Sequence, residues 1–317
     1  MTASATSGSG SLPRSIVIVG PTASGKSALA LELARLLGDS EIVSIDSMQV
    51  YRRMDIGTAK LPARLRRGIA HHLLDIWDVR AAANVAEYQR RARAAIGEVH
   101  GRGRLPILVG GSGLYVWAAL RDLRFPGHDP AVRAELEAVL AEAGPEALHR
   151  QLAAVDPPAA AAILPGNGRR IVRALEVIAI TGQPFAAALG TPEPVFRTLT
   201  IGLTMERARL DQRLDARVDR MWADGLVDEA RNLPGLPDSP TAGFALGYRQ
   251  VLDHLAGRCS DAEARAATAR GTRKFARRQE AWFRRDRGTL WIAAGEADTT
   301  SRAQIAAQPF RLAEPGA

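Results

Sequence analysis

The sequence predicts an α/β protein: a parallel-sheet core carrying an inserted all-helical domain. Three observations carry that class. Short β-branched runs alternate with amphipathic helical stretches over residues 14–122, and a glycine-rich turn joins the first run to the first helix. Strand patterning then disappears across 123–195 and returns at Leu199. In order, 15–19 is an apolar β-branched run ending in Gly20-Pro21, a buried strand followed by a turn. From Gly25, the spacing Leu29, Leu33, Leu36, Leu37 fits one helix face, stopped by Gly38. A second strand covers 41–46, a helix 84–100, and a third strand 105–109, ending in Gly110-Gly111. The insertion shows helical stretches at 132–143, 145–152 and 169–181. After it, Leu199, Ile201 and Leu203 alternate as a strand, and Leu210, Leu214, Val218 and Met221 mark a helix. A long helix at 262–285 leads to a last strand at 290–292. The stretches 1–13 and 301–317 read as tails, with 1–13 flexible.

Composition bounds the class of function. The chain has 317 residues, of which 46% are hydrophobic and 24% charged, enough to bury roughly three quarters of the unfolded surface. No apolar run approaches the roughly 18 residues of a membrane span. The single cysteine, Cys259, forms neither an intrachain disulfide nor a metal cage alone. A soluble cytoplasmic protein is expected. Forty-two basic residues against 34 acidic give a net charge of +8, and only Lys26, Lys60 and Lys274 are lysines. A basic balance is weak evidence for a polyanionic partner.

The strongest local signal is Gly20-Pro21-Thr22-Ala23-Ser24-Gly25-Lys26-Ser27, a P-loop pattern with a strand before it and a helix after it. Glycines let backbone N–H groups converge on an anion, the helix start adds its positive end, and Lys26 neutralises a terminal phosphate. Ser27 is the expected Mg²⁺ ligand. The pattern points to a bound di- or triphosphate, ATP included. The equipment of phosphoryl transfer is missing, because the strand at 105–109 ends in Gly110-Gly111-Ser112 where an Asp is expected. The carboxylate at a strand end is Asp46.

Further blocks stand beside the P-loop: Ser44-Ile-Asp46-Ser47-Met48-Gln49-Val-Tyr51, Met54 to Lys60, His71-His72-Leu-Leu-Asp75, Gly110 to Tyr115, Asn167 to Glu176, and Gly247-Tyr248-Arg249-Gln250. Together, and in this order, they resemble the tRNA dimethylallyltransferase family, over residues 16 to about 292. The resemblance implies a P-loop NTPase-like core with the helical insertion binding tRNA. Its donor is dimethylallyl diphosphate and its acceptor the exocyclic amine of the adenine 3′-adjacent to the anticodon, with diphosphate leaving intact. The P-loop, residues 20–27, then holds a leaving group with Mg²⁺, and Arg213 or Arg217 adds a diphosphate contact. Asp46 becomes the base that takes the amine's proton. Ser112 stands where the family has a catalytic Thr, its hydroxyl beside the leaving oxygen, and Lys26 is the third catalytic residue the resemblance implies; Arg53 in place of Gly and Leu61 before Pro62 are further departures. Implied tRNA contacts are Asp46, Ser47, Met48, Gln49 and Ser112; Arg133; Arg169, Arg170, Ile171, Val172 and Arg173; and Phe244, Ala245, Leu246, Gly247, Tyr248 and Arg249. The implied partners are a tRNA anticodon stem-loop and dimethylallyl diphosphate, with no membrane and a monomeric chain.

Blander features fill the remainder. His71 and His72, adjacent in sequence, face different directions and make a poor metal pair. Trp77, Trp117 and Trp222 read as core, Tyr115 as packing beneath the Ser112 loop, and Thr58 and Lys60 as open between ligand and turn. Eight basic residues (Arg270, Arg273, Lys274, Arg277, Arg278, Arg284, Arg285, Arg287) lie along one helix whose other side carries Phe275, Gln279 and Trp282. Three rivals remain: a small-molecule P-loop kinase, a nucleotide-switched RNA-binding protein, and a prenyltransferase acting on free AMP.

Overall fold

The computed structural model describes residues 14–188, 193–295 and 299–312; the expected tail at 1–13 lies outside them. The chain divides into two compact units, Arg121–Val195 and the remainder. The larger unit runs β1 (Arg14–Val19), α1 (Lys26–Leu37), β2 (Ser40–Ser44), β3 (His71–His72), α2 (Val85–Gly101), β4 (Leu105–Val109) and α3 (Gly113–Leu120). The second unit holds α4 (Pro130–Val155), α5 (Pro157–Ala162), α6 (Gly168–Thr181) and α7 (Phe185–Ala188). The larger unit then resumes with β5 (Arg197–Thr204), α8 (Arg207–Ala223), α9 (Leu226–Arg231), α10 (Tyr248–Leu255), α11 (Asp261–Phe283), β6 (Leu290–Ala293) and α12 (Thr299–Leu312).

The six strands form one sheet in the order β3-β2-β4-β1-β5-β6, and every pairing is parallel. An all-parallel sheet is covered on both faces, which is why Ile16, Val17, Ile18 and Val19 of β1 are all buried. Val17 and Val19 enter one apolar cluster, with Ile45, Tyr51 and Tyr88. Ile16 and Ile18 enter the other, with Leu29 and Leu33 of α1. The strand's two-residue period thus divides the core between its faces.

Some boundaries depart from the sequence reading, each for a local reason. The second strand stops at Ser44 rather than 46, because Asp46 folds its carboxylate back onto the next turn. The segment 301–317, expected as a tail, contains most of α12, whose Ala303, Ala306 and Ala307 are buried. An alanine stripe carries too little hydrophobic contrast to announce itself as a helix face. In the second unit, α4 joins the two expected helices across Gly144, whose backbone (φ 78, ψ 170) breaks the helix before Pro145. This unit is all-helical among its described residues and centres on Leu148, Leu152, Ile163, Ile171 and Leu175.

Candidate active site

The carboxyl ends of β1, β2 and β4 open on one cavity of about 290 Å³, lined by Thr22, Ala23, Gly25, Lys26 and Ser27 from the P-loop and first turn of α1. The loop needs its first glycine: a Cβ at Gly20 would sit 2.6 Å from the Leu203 carbonyl oxygen, on a backbone with φ +140. At its far end, α1 starts with no side-chain cap and no acid in its first turn. By contrast, α2, α4, α6, α8 and α11 are all capped by side chains, from Asn84, Asp129, Asn167, Glu206 and Ser260. The first amides of α1 therefore face the cavity with their partial positive charge uncancelled. Lys26 folds over the loop, donating to the carbonyl oxygens of Gly20 (3.0 Å) and Pro21 (2.7 Å). Burial, assisted by the Arg217 charge and opposed by Asp46, brings its ammonium down to about 7.

Asp46 enters from the turn after β2. Its Oδ1 accepts the amides of Met48 (2.8 Å) and Gln49 (3.2 Å), an Asx-type turn that fixes the carboxyl at the cavity wall. Gln49 also lines the cavity, held by the Ser44 hydroxyl (3.1 Å) and by its own donation to the Thr58 carbonyl (3.2 Å). Beside Asp46, the Ser47 amide donates to Ser112 Oγ at 3.2 Å, and the two hydroxyls lie 3.1 Å apart. The loop carrying Ser112 comes this near because Gly110 has no side chain. A Cβ there would fall 1.7 Å from the Ile45 carbonyl oxygen.

The remaining wall is α8. Its inner face packs Leu210, Leu214 and Val218, while Arg213, Arg217 and Arg220, spaced four and three residues apart, share another face and line the cavity. Burial lowers both Arg213 and Arg217 from the ordinary guanidinium value; Asp46 opposes the shift at Arg217. Neither forms an ion pair among the described residues. His71 adds an imidazole that burial keeps below its usual range, bonded through Nδ1 to the Ile69 carbonyl oxygen at 2.8 Å. The cavity concentrates positive charge: a P-loop, an uncapped helix start and four basic side chains meet one carboxylate.

Sequence and fold comparisons identify the lineage. The IPP transferase family matches residues 49–286. A Salinispora arenicola protein named tRNA dimethylallyltransferase is 60% identical over 87% of this chain and 81% of its own. A Streptomyces avermitilis protein of the same name is 59% identical over 93% and 95%. This chain belongs to the IPP transferase family. Among solved structures, the tRNA isopentenylpyrophosphate transferase of Bacillus halodurans is 40% identical, with TM-score 0.68, covering 94% of this chain and 95% of that one. A eukaryotic dimethylallyltransferase acting on tRNA reaches TM-score 0.80 at 26% identity, covering 96% and 80%.

Within this family member the cavity gathers Lys26, Ser27, Asp46, Gln49, Arg213 and Arg217. Ser112, expected beside the leaving oxygen, is not on the cavity wall: its hydroxyl is engaged with Ser47, which does not line the cavity either. Several expected tRNA contacts are committed elsewhere. Ile171 and Val172 form the core of the helical unit, because α6 turns them away from Arg169 and Arg170. Arg133 and Arg173 both bind the buried carboxylate of Glu176, at 2.6 and 2.7 Å, and Arg173 also donates to the carbonyls of Pro126 and Gly127. Ala245 is buried, as is Tyr248, whose hydroxyl bonds Glu229 while its ring fills the space beside Gly57. Phe244 and Arg249 stay exposed, the guanidinium 5.7 Å from the ring centre. Lys60 is internal, donating to Tyr51 O, Asp55 and Asp75 at 2.6–2.8 Å. Glu229, which accepts the amides of Asp55, Ile56 and Gly57, carried no sequence signal.

Proposed function

We propose that this IPP transferase family member, acting as a monomer in the cytoplasm, moves a dimethylallyl group from dimethylallyl diphosphate to tRNA. The acceptor is the exocyclic amine of the adenine 3′-adjacent to the anticodon. The carrying observation is the cavity's charge: four cations and an uncapped helix start, against the single carboxylate Asp46. That arrangement suits a departing diphosphate.

In the reaction, the amine nitrogen attacks the allylic carbon, and the carbon–oxygen bond to diphosphate breaks with both electrons going to oxygen. The amine's proton passes to Asp46. Oδ1 is taken by two amides, so Oδ2 accepts it. Lys26 swings from the loop carbonyls to the diphosphate, and Arg217 or Arg213 meets the phosphoryl oxygens across the cavity. Ser112 acts through Ser47, fixing the turn that carries Asp46. The site also fits Mg²⁺ through the hard hydroxyl oxygen of Ser27 on the cavity wall. Magnesium characteristically takes few protein ligands and completes its shell with water and substrate phosphate. When bound, it neutralises charge on the leaving diphosphate.

The tRNA lies against the exposed basic side chains. Arg169 and Arg170 at the start of α6, Phe244 with Arg249, and Arg277 with Arg278 on α11 are all exposed, while Ser47, Met48 and Gln49 flank the target base. Arg133 and Arg173 serve RNA by holding α6 in place through Glu176. An extruded base is needed to reach the carboxylate, which single-stranded loops permit at low cost.

The test is direct. Unmodified tRNA is incubated with the protein, dimethylallyl diphosphate and Mg²⁺, then digested, and its nucleosides are weighed by mass spectrometry. Dimethylallyladenosine in one-to-one ratio with released diphosphate is expected. Unchanged tRNA, ATP consumption without prenylation, or product only from free AMP would each overturn the reading.

A further inference from the structure

Gln279 lies near the carboxyl end of α11, on its packed side, and is 6% exposed. Its side-chain amide joins two loops far apart in sequence. Oε1 accepts the Thr22 amide of the P-loop at 2.8 Å, and Nε2 donates to the Gly111 carbonyl at 2.9 Å. Both glycines flanking Ser112 are shaped to this helix. A Cβ at Gly111 would fall 2.2 Å from Gln279 Nε2, and one at Gly113 would fall 2.3 Å from Trp282 Nε1. Trp282, one turn beyond Gln279, also packs on Trp117 of α3, ring centres 5.1 Å apart.

The two bonds have opposite polarity, and a primary amide of this length satisfies both. A carboxylate keeps the bond to the Thr22 N–H and sets oxygen against oxygen at Gly111; a thioether loses both. The consequence reaches the reacting groups by short steps. Thr22 belongs to the loop that wraps the anion cavity. Gly111 precedes Ser112, which bonds Ser47, the neighbour of Asp46. One side chain therefore ties the leaving-group cradle to the segment that supports the base.

We infer that Gln279 is a positioning residue for the transfer reaction. It fixes the P-loop and the Ser112 loop at one separation, so that the diphosphate and the proton acceptor meet the allylic carbon together. The inference rests on the proposed diphosphate site. It assigns Gln279 no contact with donor or RNA. Misplacing reacting groups by about an ångström costs on the order of 100-fold in rate.

The experiment uses the full-length protein with Gln279→Glu and Gln279→Met. It measures the Kd of inorganic pyrophosphate with Mg²⁺ by calorimetry, kcat and the KM for dimethylallyl diphosphate at saturating tRNA, the Kd of unmodified tRNA, and the thermal midpoint. The two variants are expected to separate the two bonds. Gln279→Met should weaken pyrophosphate about 10-fold and lower kcat about 100-fold, with tRNA affinity within about twofold. Gln279→Glu keeps the Thr22 bond, so pyrophosphate affinity should stay within about threefold while kcat still falls at least 10-fold. Should the Met variant fail to fold, that split in the Glu variant carries the test. Variants that weaken tRNA alone make Gln279 an RNA contact and overturn the inference, as do variants with unchanged pyrophosphate Kd and kcat. Wild-type protein that binds no pyrophosphate overturns the diphosphate site itself, whereas binding and kcat that both variants share with wild type remove only the role of Gln279.

Discussion

Two groups of arginines look alike in the sequence and do opposite things. In the helical unit, Arg133 and Arg173 converge on Glu176, a carboxylate with no exposed side-chain surface. Burial alone raises a carboxyl's pKa, but the Arg133 and Arg173 hydrogen bonds outweigh it and bring Glu176 to about 2. In the sheet unit, Lys26, Arg213, Arg217 and Arg220 line one cavity with Asp46 as their only carboxylate. Cations answered by protein carboxylates build the scaffold. Cations left over mark where an anion from outside belongs, because burying like charge without an answer is costly unless a ligand supplies it.

The sharpest way to break this contrast is at the lone carboxylate. Asp46→Asn keeps the acceptor for the Met48 and Gln49 amides but removes the base. Turnover at saturating substrates should fall about 10³- to 10⁴-fold, with the pyrophosphate Kd equal to or tighter than wild type. Near-normal turnover would remove Asp46 from the chemistry.

Next come Lys26 and Lys60, which the contrast sorts into opposite classes. Lys26→Met should weaken pyrophosphate about 100-fold, the value of a charged hydrogen bond. Lys60→Met should change that Kd less than about threefold and instead cost about 2–3 kcal/mol of stability in denaturant unfolding, since Lys60 joins Asp55, Asp75 and Tyr51. Proton linkage adds a second readout. With its free value near 7, Lys26 is already protonated below that pH and largely neutral above it, and an arriving anion favours the charged form. Pyrophosphate binding at pH 8.5 should therefore take up close to one proton more in wild type than in Lys26→Met, measured by calorimetry in two buffers. At pH 6 the difference should vanish.

Breaking the answered group should cost stability and leave the cavity untouched. Glu176→Gln leaves two half-buried guanidiniums without their carboxylate, at about 3 kcal/mol. Because the native value is lowered from 4.5 to about 2, this stabilisation is fully present above pH 4.5 and is lost as pH falls towards 2. The gap between wild type and Glu176→Gln in thermal midpoint should shrink over that window. Pyrophosphate affinity should not move.

The sequence carried the sheet and its ligand loop because both are local patterns. Gly20 to Ser27 is a contiguous motif, and β1 and β4 carry the apolar runs 16–19 and 105–109. Asp46 stood out as the one acid at a strand end. What stayed hidden depends on residues far apart in the chain. Glu176 lies 43 residues from Arg133, and the amide of Gln279 reaches across 257 and 168 residues to Thr22 and Gly111. Residue type alone could not tell an arginine answered by Glu176 from one facing the cavity, nor a tyrosine buried against Glu229 from one facing RNA. β3 is two residues long, too short for any period to register, and α3 begins in a glycine run that reads as a loop.

The smallest effect tests the exposed end of the contrast, on α11. Along that helix some basic residues are answered: Arg273 pairs with Asp215, and Arg277 lies 3.7 Å from Asp211. That second pair is long and its arginine largely exposed, so it is worth little in water. Arg278 only leans on the Phe275 ring, 5.9 Å from its centre. If leftover charge marks an RNA face as it marks the proposed diphosphate site, Arg277→Glu with Arg278→Glu should weaken tRNA several-fold near physiological salt. It should also flatten the plot of log affinity against log salt by about 1.5, the release of counterions from two phosphates. Thermal stability should stay within about 0.5 kcal/mol. An unchanged salt slope would make this helix face merely solvated and confine the rule of unanswered charge to the cavity.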